Sequence, residues 1–242
     1  MTVPPQDHAG AVERLGGEPR DDQAGAFFGR RKGKKLRAGQ DDLVQNLLPR
    51  LRVDPGGDLA DLAAAYPAGL WLEIGFGGGE HLAAQARAHP EMGFVGCEPF
   101  LNGMAKLLMV VDQDELGNVR LWDEDVTDLL PLWPDAIFSR VSILYPDPWP
   151  KRRQRKRRLV SDETLAGLAR VMRPGAELRF ATDIDDYAGW ALARILRSPD
   201  FRWTAETAED WRRSWAGWPG TRYEAKALHE GRVPSYLTFI RI

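Results

Sequence analysis

Acids and glycines recur in this sequence at spacings that suit a nucleoside cofactor. Glu73-Ile74-Gly75-Phe76-Gly77-Gly78-Gly79 sets a carboxylate two residues before a glycine cluster. Glycines there let a ligand approach the backbone where a side chain would collide with it. Glu98 stands 23 residues beyond Gly75, where an acid accepts from both hydroxyls of a ribose. The dinucleotide pattern G-x-G-x-x-G would need glycine at position 80, which is Glu80, and would set pyrophosphate beside Glu73 and Glu80. S-adenosyl-L-methionine carries no phosphate, and its ammonium and sulfonium centres are cationic, so the same acids attract it. Asp125 is spaced to accept from the adenine amino group. It would serve equally as the N-cap of a short helix, with Asp123 and Asp128 as rivals for either job.

A second cluster is Tyr145-Pro146-Asp147-Pro148-Trp149-Pro150-Lys151, where three prolines stiffen the chain around one aspartate. Asp147 is the candidate catalytic carboxylate, and Trp149 reads equally as a packed lid residue or a base-stacking one. The net charge is −2, yet Lys151 to Arg158 has seven basic residues in eight and Arg30 to Arg37 has six in eight. These runs hold 13 of the 33 positive charges and leave the rest of the chain at −15. Local basic stripes are what a phosphate backbone responds to. Neither run contains an aromatic residue, which favours phosphate positioning over base reading.

Elements that could hold these residues follow from the hydropathy pattern. Residues 1–26 read as a flexible arm and 27–242 as one domain. An amphipathic helix over 41–52, packed across that domain, is expected from Leu43, Val44, Leu47, Leu48 and Leu51. Strands are expected at 70–75, 93–98, 118–122, 137–144 and 176–182, and helices at 79–88, 101–116, 160–172 and 184–197. Buried strands alternating with helices indicate an α/β, doubly wound, mostly parallel Rossmann-like sheet. Two strand-like pieces near 221–226 and 233–241 are expected to close the edge as an antiparallel pair. Ligands in such folds sit beyond the carboxyl ends of the strands, and each of those ends carries an acid. One cysteine, Cys97, excludes an internal disulfide, and the four histidines show no zinc-binding spacing, so no metal is expected. No apolar run reaches the roughly 18 residues of a membrane span and no signal-peptide core opens the chain. A cytoplasmic protein with no membrane partner is expected, as monomer or homodimer.

LEIGFGGGEHL, GCEPF, LYPDPWPKRRQRKRR, ATDIDDYA and TRYE, in this order and with RRKGKKLRAGQ before them, resemble the bacterial tRNA (guanine-N7-)-methyltransferases. The resemblance runs from about residue 28 to the C-terminus, and its most specific part is PDPW-x-K with the cluster after it. It implies the seven-strand methyltransferase sheet with an antiparallel C-terminal strand. It further implies methyl transfer from S-adenosyl-L-methionine to guanine N7 at position 46 of the tRNA variable loop, giving 7-methylguanosine. By motif, Glu73, Gly75, Gly77, Glu98, Asp125 and Asp147 match the cofactor and active-site positions. Lys151 and Asp183 match the substrate-binding pair, and Thr221, Arg222, Tyr223 and Glu224 match a segment at the substrate pocket. Arg153, Gln154, Arg155, Lys156, Arg157 and Arg158 match the RNA-contacting stretch. Ile184 and Arg232 to Ser235 depart from the family pattern. Rival readings are an amino-group nucleic-acid methyltransferase, a non-catalytic tRNA-binding module and, weakened by Glu80, a nicotinamide oxidoreductase.

Overall fold

The computed structural model describes residues 28–55 and 57–242, so the arm expected over 1–26 lies outside the described residues. In chain order the elements are α1 (Ala38–Asn46), α2 (Leu48–Leu51), α3 (Asp58–Ala65), β1 (Leu70–Ile74), α4 (Glu80–Ala88), β2 (Gly93–Cys97), α5 (Leu101–Gln113) and β3 (Val119–Trp122). Then come α6 (Val126–Leu129), β4 (Phe138–Leu144), a 3-10 helix (Arg152–Arg157), α7 (Asp162–Val171) and β5 (Met172–Thr182). The chain ends with α8 (Asp185–Ile195), β6 (Phe201–Trp203), α9 (Glu209–Arg212), α10 (Arg222–His229) and β7 (Ser235–Arg241).

The seven strands form one sheet in the order β3-β2-β1-β4-β5-β7-β6, with β7 antiparallel to both neighbours and the pairs from β3 to β5 parallel. Its central strands are sealed on both faces, which is why they read as apolar runs without alternation. One core cluster joins Leu70, Leu72, Val141 and Phe180 to Leu165 and Leu168 of α7 and Tyr187 of α8. A second joins Phe94 and Leu121 to Leu82 of α4 and Met104, Leu107 and Leu108 of α5. Leu43, Val44, Leu47 and Leu51 of the N-terminal helices pack against this second cluster, across the domain as their spacing implied.

Three expectations are corrected. The helix expected over 41–52 starts at Ala38 and divides at Leu47, because Pro49 lacks the N–H of a helix interior and instead sits in the first turn of a new helix. The segment 221–226 is not a strand but opens α10. There the Thr221 hydroxyl accepts from the Glu224 N–H at 3.1 Å, the cap of a T-x-x-E sequence overriding the strand preference of Thr and Tyr. The antiparallel neighbours of β7 are therefore β5 and β6. Neither α3 nor the three-residue β6 was foreseen, the first because its alanine-rich pattern is weakly periodic and the second because it is too short to alternate.

Candidate active site

From β1 the chain moves outward through β2 to β3, then returns to lay β4 on the other side of β1. The crossovers on the two sides diverge and leave a crevice over the carboxyl ends of β1 and β4, the place where such sheets bind ligands. The glycine turn follows β1 and the proline-braced turn follows β4, so topology alone brings Gly75 and Asp147 together. Both line one cavity of about 620 Å³, within the roughly 300–1,000 Å³ of small-molecule sites.

Gly75, Gly77 and Gly79 hold φ of 72°, 59° and 78°, a left-handed backbone that side chains disfavour. The turn is fastened from two directions. The Gly75 N–H donates to the Cys97 carbonyl at 2.8 Å. The two carboxylate oxygens of Glu98 accept from the Gly77 N–H at 2.6 Å and the Phe100 N–H at 2.8 Å. Gly103 of α5 abuts the same turn, and a Cβ there would lie 2.1 Å from the Gly77 carbonyl oxygen. Burial pushes the Glu98 carboxyl up to about 7, the two N–H bonds opposing and the nearby Asp147 charge adding to the rise.

Asp125 both caps and faces the cavity. Its carboxylate accepts from the Thr127 N–H at 2.9 Å at the start of α6, and the residue lines the cavity while only 8% exposed. Burial raises its carboxyl above the ordinary value. The two rivals do not compete for the cavity: Asp123 pairs with Arg52 at 2.8 Å, and Asp128 is exposed on α6 and does not line it. Asp147 differs from both buried acids. It opens to the cavity and makes no hydrogen bond or ion pair with a described residue, and the protein around it raises its carboxyl above the ordinary value. Tyr145 and Trp149, two residues to either side, have φ of 51° and 40°. Positive φ at aromatic residues stores strain of the kind concentrated at functional sites.

The two basic runs meet at this cavity. Arg30 lines it from one side and Lys156 and Arg157 from the other. The Arg157 guanidinium lies 4.8 Å from the Phe28 ring and 5.1 Å from the Trp149 ring. The first run is docked on the start of α5: the Leu101 N–H donates to the Arg31 carbonyl at 2.9 Å, and Asn102 bonds Gly33 and Lys34 at 2.6 and 2.7 Å. In the second run Arg152, Arg153 and Lys156 are exposed and Gln154 is half-buried. Arg158 differs from these, its side chain fully buried although the residue lines the cavity. It donates to the Pro148 carbonyl at 2.8 Å, pairs with Asp186 and lies 4.8 Å from the Tyr187 ring. Arg158 anchors the proline-braced turn.

Several expected site residues lie elsewhere. Glu73 does not line the cavity; it is buried, its carboxylate 2.6 Å from His81 Nδ1, because α4 brings that ring over the face of β1 from which Glu73 projects. Lys151 is exposed, and it does not pair with Asp183, whose carboxylate receives Arg232 at 2.5 Å. Thr221 is a cap, and the buried Glu224 accepts from Trp218 Nε1 at 2.7 Å and from the Tyr236 hydroxyl. Of this segment Tyr223 alone lines the cavity, and a Cβ on Gly77 would lie 2.9 Å from its ring; Arg222 stands beside it, 3.9 Å from Glu80. Sequence reasoning missed His81, Asn102, Trp218, Arg232 and Tyr236. His81 lies within LEIGFGGGEHL but its partner was not read from that motif, Arg232 opens the stretch that departs from the family pattern, and the other three belong to no quoted motif.

The donor set fits S-adenosyl-L-methionine. Three acids, Glu98, Asp125 and Asp147, face a cavity floored by open glycine backbone, and the cations that line it, Arg30, Lys156, Arg157 and Arg158, all belong to the two basic runs. Among the described residues no cluster of His, Cys, Asp and Glu could hold a metal ion, and no helix is long and apolar enough to cross a membrane.

Residues 67–235 match a family model described as a putative methyltransferase. A tRNA (guanine-N(7)-)-methyltransferase of Nitrobacter winogradskyi is 50% identical, covering 98% of this chain and 93% of its own length. One of Agrobacterium fabrum is 54% identical, covering 89% and 95%. Among solved structures, the 16S rRNA methyltransferase KamB superposes with a TM-score of 0.54 at 20% identity over 79% of this chain and 97% of its own. The 16S rRNA (adenine(1408)-N(1))-methyltransferase from Catenulisporales acidiphilia superposes with 0.53 at 17% identity over 78% and 94%. Both share the class I methyltransferase sheet. With relatives 50% and 54% identical over 98% and 89% of its length, the chain belongs to the tRNA (guanine-N(7)-)-methyltransferases.

Proposed function

We propose that the chain methylates N7 of the guanine at position 46 of the tRNA variable loop, giving 7-methylguanosine, in the cytoplasm. The observation that carries this reading is the shared cavity: Asp147, without a partner among the described residues, lines it together with the glycine turn and with cations of both basic runs. Glu98 and Asp125 hold the ribose and adenine, with Gly75 and Gly77 giving backbone access. When bound, S-adenosyl-L-methionine supplies an electrophilic methyl group.

Guanine N7 has an in-plane lone pair and no proton at neutral pH, so no base is needed to unmask it. Positioning then dominates the rate. Asp147 orients the guanine edge and offsets the positive charge that grows on the ring as N7 is alkylated. The rigid turn suits this task, since Pro146, Pro148 and the Arg158 anchor fix the backbone on either side. Arg153, Lys156 and Arg157 hold phosphates without reading sequence. Tyr223 and Trp149 offer aromatic surface to the entering base.

The test is to incubate unmodified tRNA with the protein and labelled donor, digest the RNA and identify the methylated nucleoside by mass spectrometry. A single 7-methylguanosine that maps to the variable loop is expected. Methyl on an exocyclic amine, or no product at saturating donor, rejects the proposal.

A further inference from the structure

Behind the 3-10 helix lies a second recess, lined by Arg152, Arg155 and Lys156 from that helix, Arg194 and Trp190 from α8, and the carboxylate of Asp162. We infer that it is a phosphate-binding site for the tRNA backbone, with Arg194 as a contact outside the basic run. The inference rests on tRNA being the substrate, as proposed above.

Charge and geometry carry it. Cations outnumber acids in the lining, and the two nearby acids are already engaged. Asp162 lies 3.8 Å from Arg194 and 3.6 Å from Arg197, while Asp186 pairs with Arg155 at 2.6 Å and with Arg158. The Nε–H of Arg155 is buried and has no hydrogen-bond partner among the described residues, an unmet donor at a cationic recess. The Arg194 guanidinium is held 3.3 Å from the centre of the Trp190 ring, and Trp190 is itself fixed by its Nε1–H donating to the Val160 carbonyl at 2.9 Å. A guanidinium stacked on a fixed indole is pre-organised, so it loses little freedom when it takes a phosphate.

Place decides which phosphate. Lys156 and Ser161 line both this recess and the catalytic cavity, so one wall separates them. With the target base in the cavity, the recess receives a phosphodiester of a flanking nucleotide. Free inorganic phosphate presents similar oxygens, and the test separates the two.

The experiment compares wild type, Arg194→Gln, Arg194→Lys and Arg152→Gln with Arg213→Gln, a control at the exposed residue that follows α9. Each variant is checked for unchanged circular dichroism and donor affinity. tRNA binding is then measured against salt, and methyl transfer against tRNA concentration. Each lost phosphate contact lowers the slope of log K against log salt by about 0.7–0.9. That loss is expected in Arg194→Gln and Arg152→Gln, with a several-fold higher KM for tRNA and unchanged kcat; Arg194→Lys, which keeps the charge but not the stacked guanidinium, should keep the slope with a smaller rise in KM, and Arg213→Gln should change neither. Wild-type slope and KM in Arg194→Gln, with tRNA still methylated, would overturn the recess assignment and leave the function standing. Absence of tRNA methylation by wild type would remove the function itself. Sodium phosphate at matched ionic strength should inhibit wild type and Arg194→Gln equally, and selective inhibition of wild type would assign the recess to free phosphate instead.

Discussion

Glu98 offers the sharpest perturbation because one carboxylate ties the glycine turn to the cofactor pocket. Its carboxyl is pushed up to about 7 by burial, so near neutrality the empty protein is divided between protonated and ionised forms. Only the ionised form can accept from two ribose hydroxyls while keeping its bonds from the Gly77 and Phe100 N–H groups. From pH 8 to pH 6 the ionised fraction falls from about 0.9 to about 0.1, so affinity for S-adenosyl-L-methionine should fall about ten-fold. Close to one proton should be released per cofactor bound at pH 6. Calorimetric titration in buffers of different ionisation enthalpy counts that proton directly.

The same group makes a stability prediction of opposite sign. Its folded pKa lies above its ordinary value, so its contribution is full below about pH 4.5, declines as pH rises toward 7 and amounts to about 3 kcal/mol. Glu98→Gln should remove that slope from urea melts between pH 5 and 8. It should also cost about 1–3 kcal/mol, because the amide NH₂ must face one of the two backbone N–H donors. Cofactor affinity in wild type that is flat from pH 5.5 to 8, or that keeps its pH dependence in Glu98→Gln, would refute the reasoning.

Asp147→Ala should abolish methyl transfer at nearly unchanged cofactor affinity. Since Asp147 has no partner to lose among the described residues, the variant's unfolding free energy should stay within about 0.5 kcal/mol of wild type; loss of donor binding alone would refute the orienting role. Gly103→Ala should overpack the contact with the Gly77 carbonyl, costing about 1–3 kcal/mol and weakening donor binding; unchanged donor affinity by titration would show that the turn yields freely. Arg158→Leu should destabilise by about 1–3 kcal/mol through lost hydrogen bonds and packing, whereas Arg153→Gln should weaken tRNA binding with no stability change. Paired urea melts and filter-binding titrations distinguish the two, and reversed behaviour would mean the buried and exposed members of the run have been misassigned.

What could be read from sequence divides along a physical line. Buried parallel strands announce themselves as apolar runs, and the order of strand, glycine turn, strand, acid and strand predicts a switch-point cavity before any coordinates. Gly75, Gly77, Glu98, Asp125 and Asp147 accordingly lie together. Illegible were the side-chain pairings, near or far in sequence. The Glu73–His81 and Asp183–Arg232 pairs each turn an apparent ligand-facing acid into one already engaged by protein, and nothing in spacing distinguishes an engaged acid from a waiting one. TRYE failed for a related reason: its residue types favour a strand, while the Thr221 cap that makes it helical depends on where the chain enters from Gly220.

Engagement also sorts the acids by role. Around the cavity, Glu98 is bound by two backbone N–H groups and Asp125 by one, each retaining lone pairs for hydroxyl or amino donors. Glu224 is consumed by Trp218 and Tyr236, and Asp183 by Arg232. Asp147 alone among these acids faces the cavity with its full acceptor capacity unspent and no neighbour to neutralise it. A carboxylate left that way gains when positive charge develops in front of it. Alkylation of a ring nitrogen creates such a charge, whereas methylation of an exocyclic amine ends neutral after losing a proton. An orienting carboxylate without a proton relay therefore suits the first reaction. The second adds a proton loss that alkylation of N7 does not require.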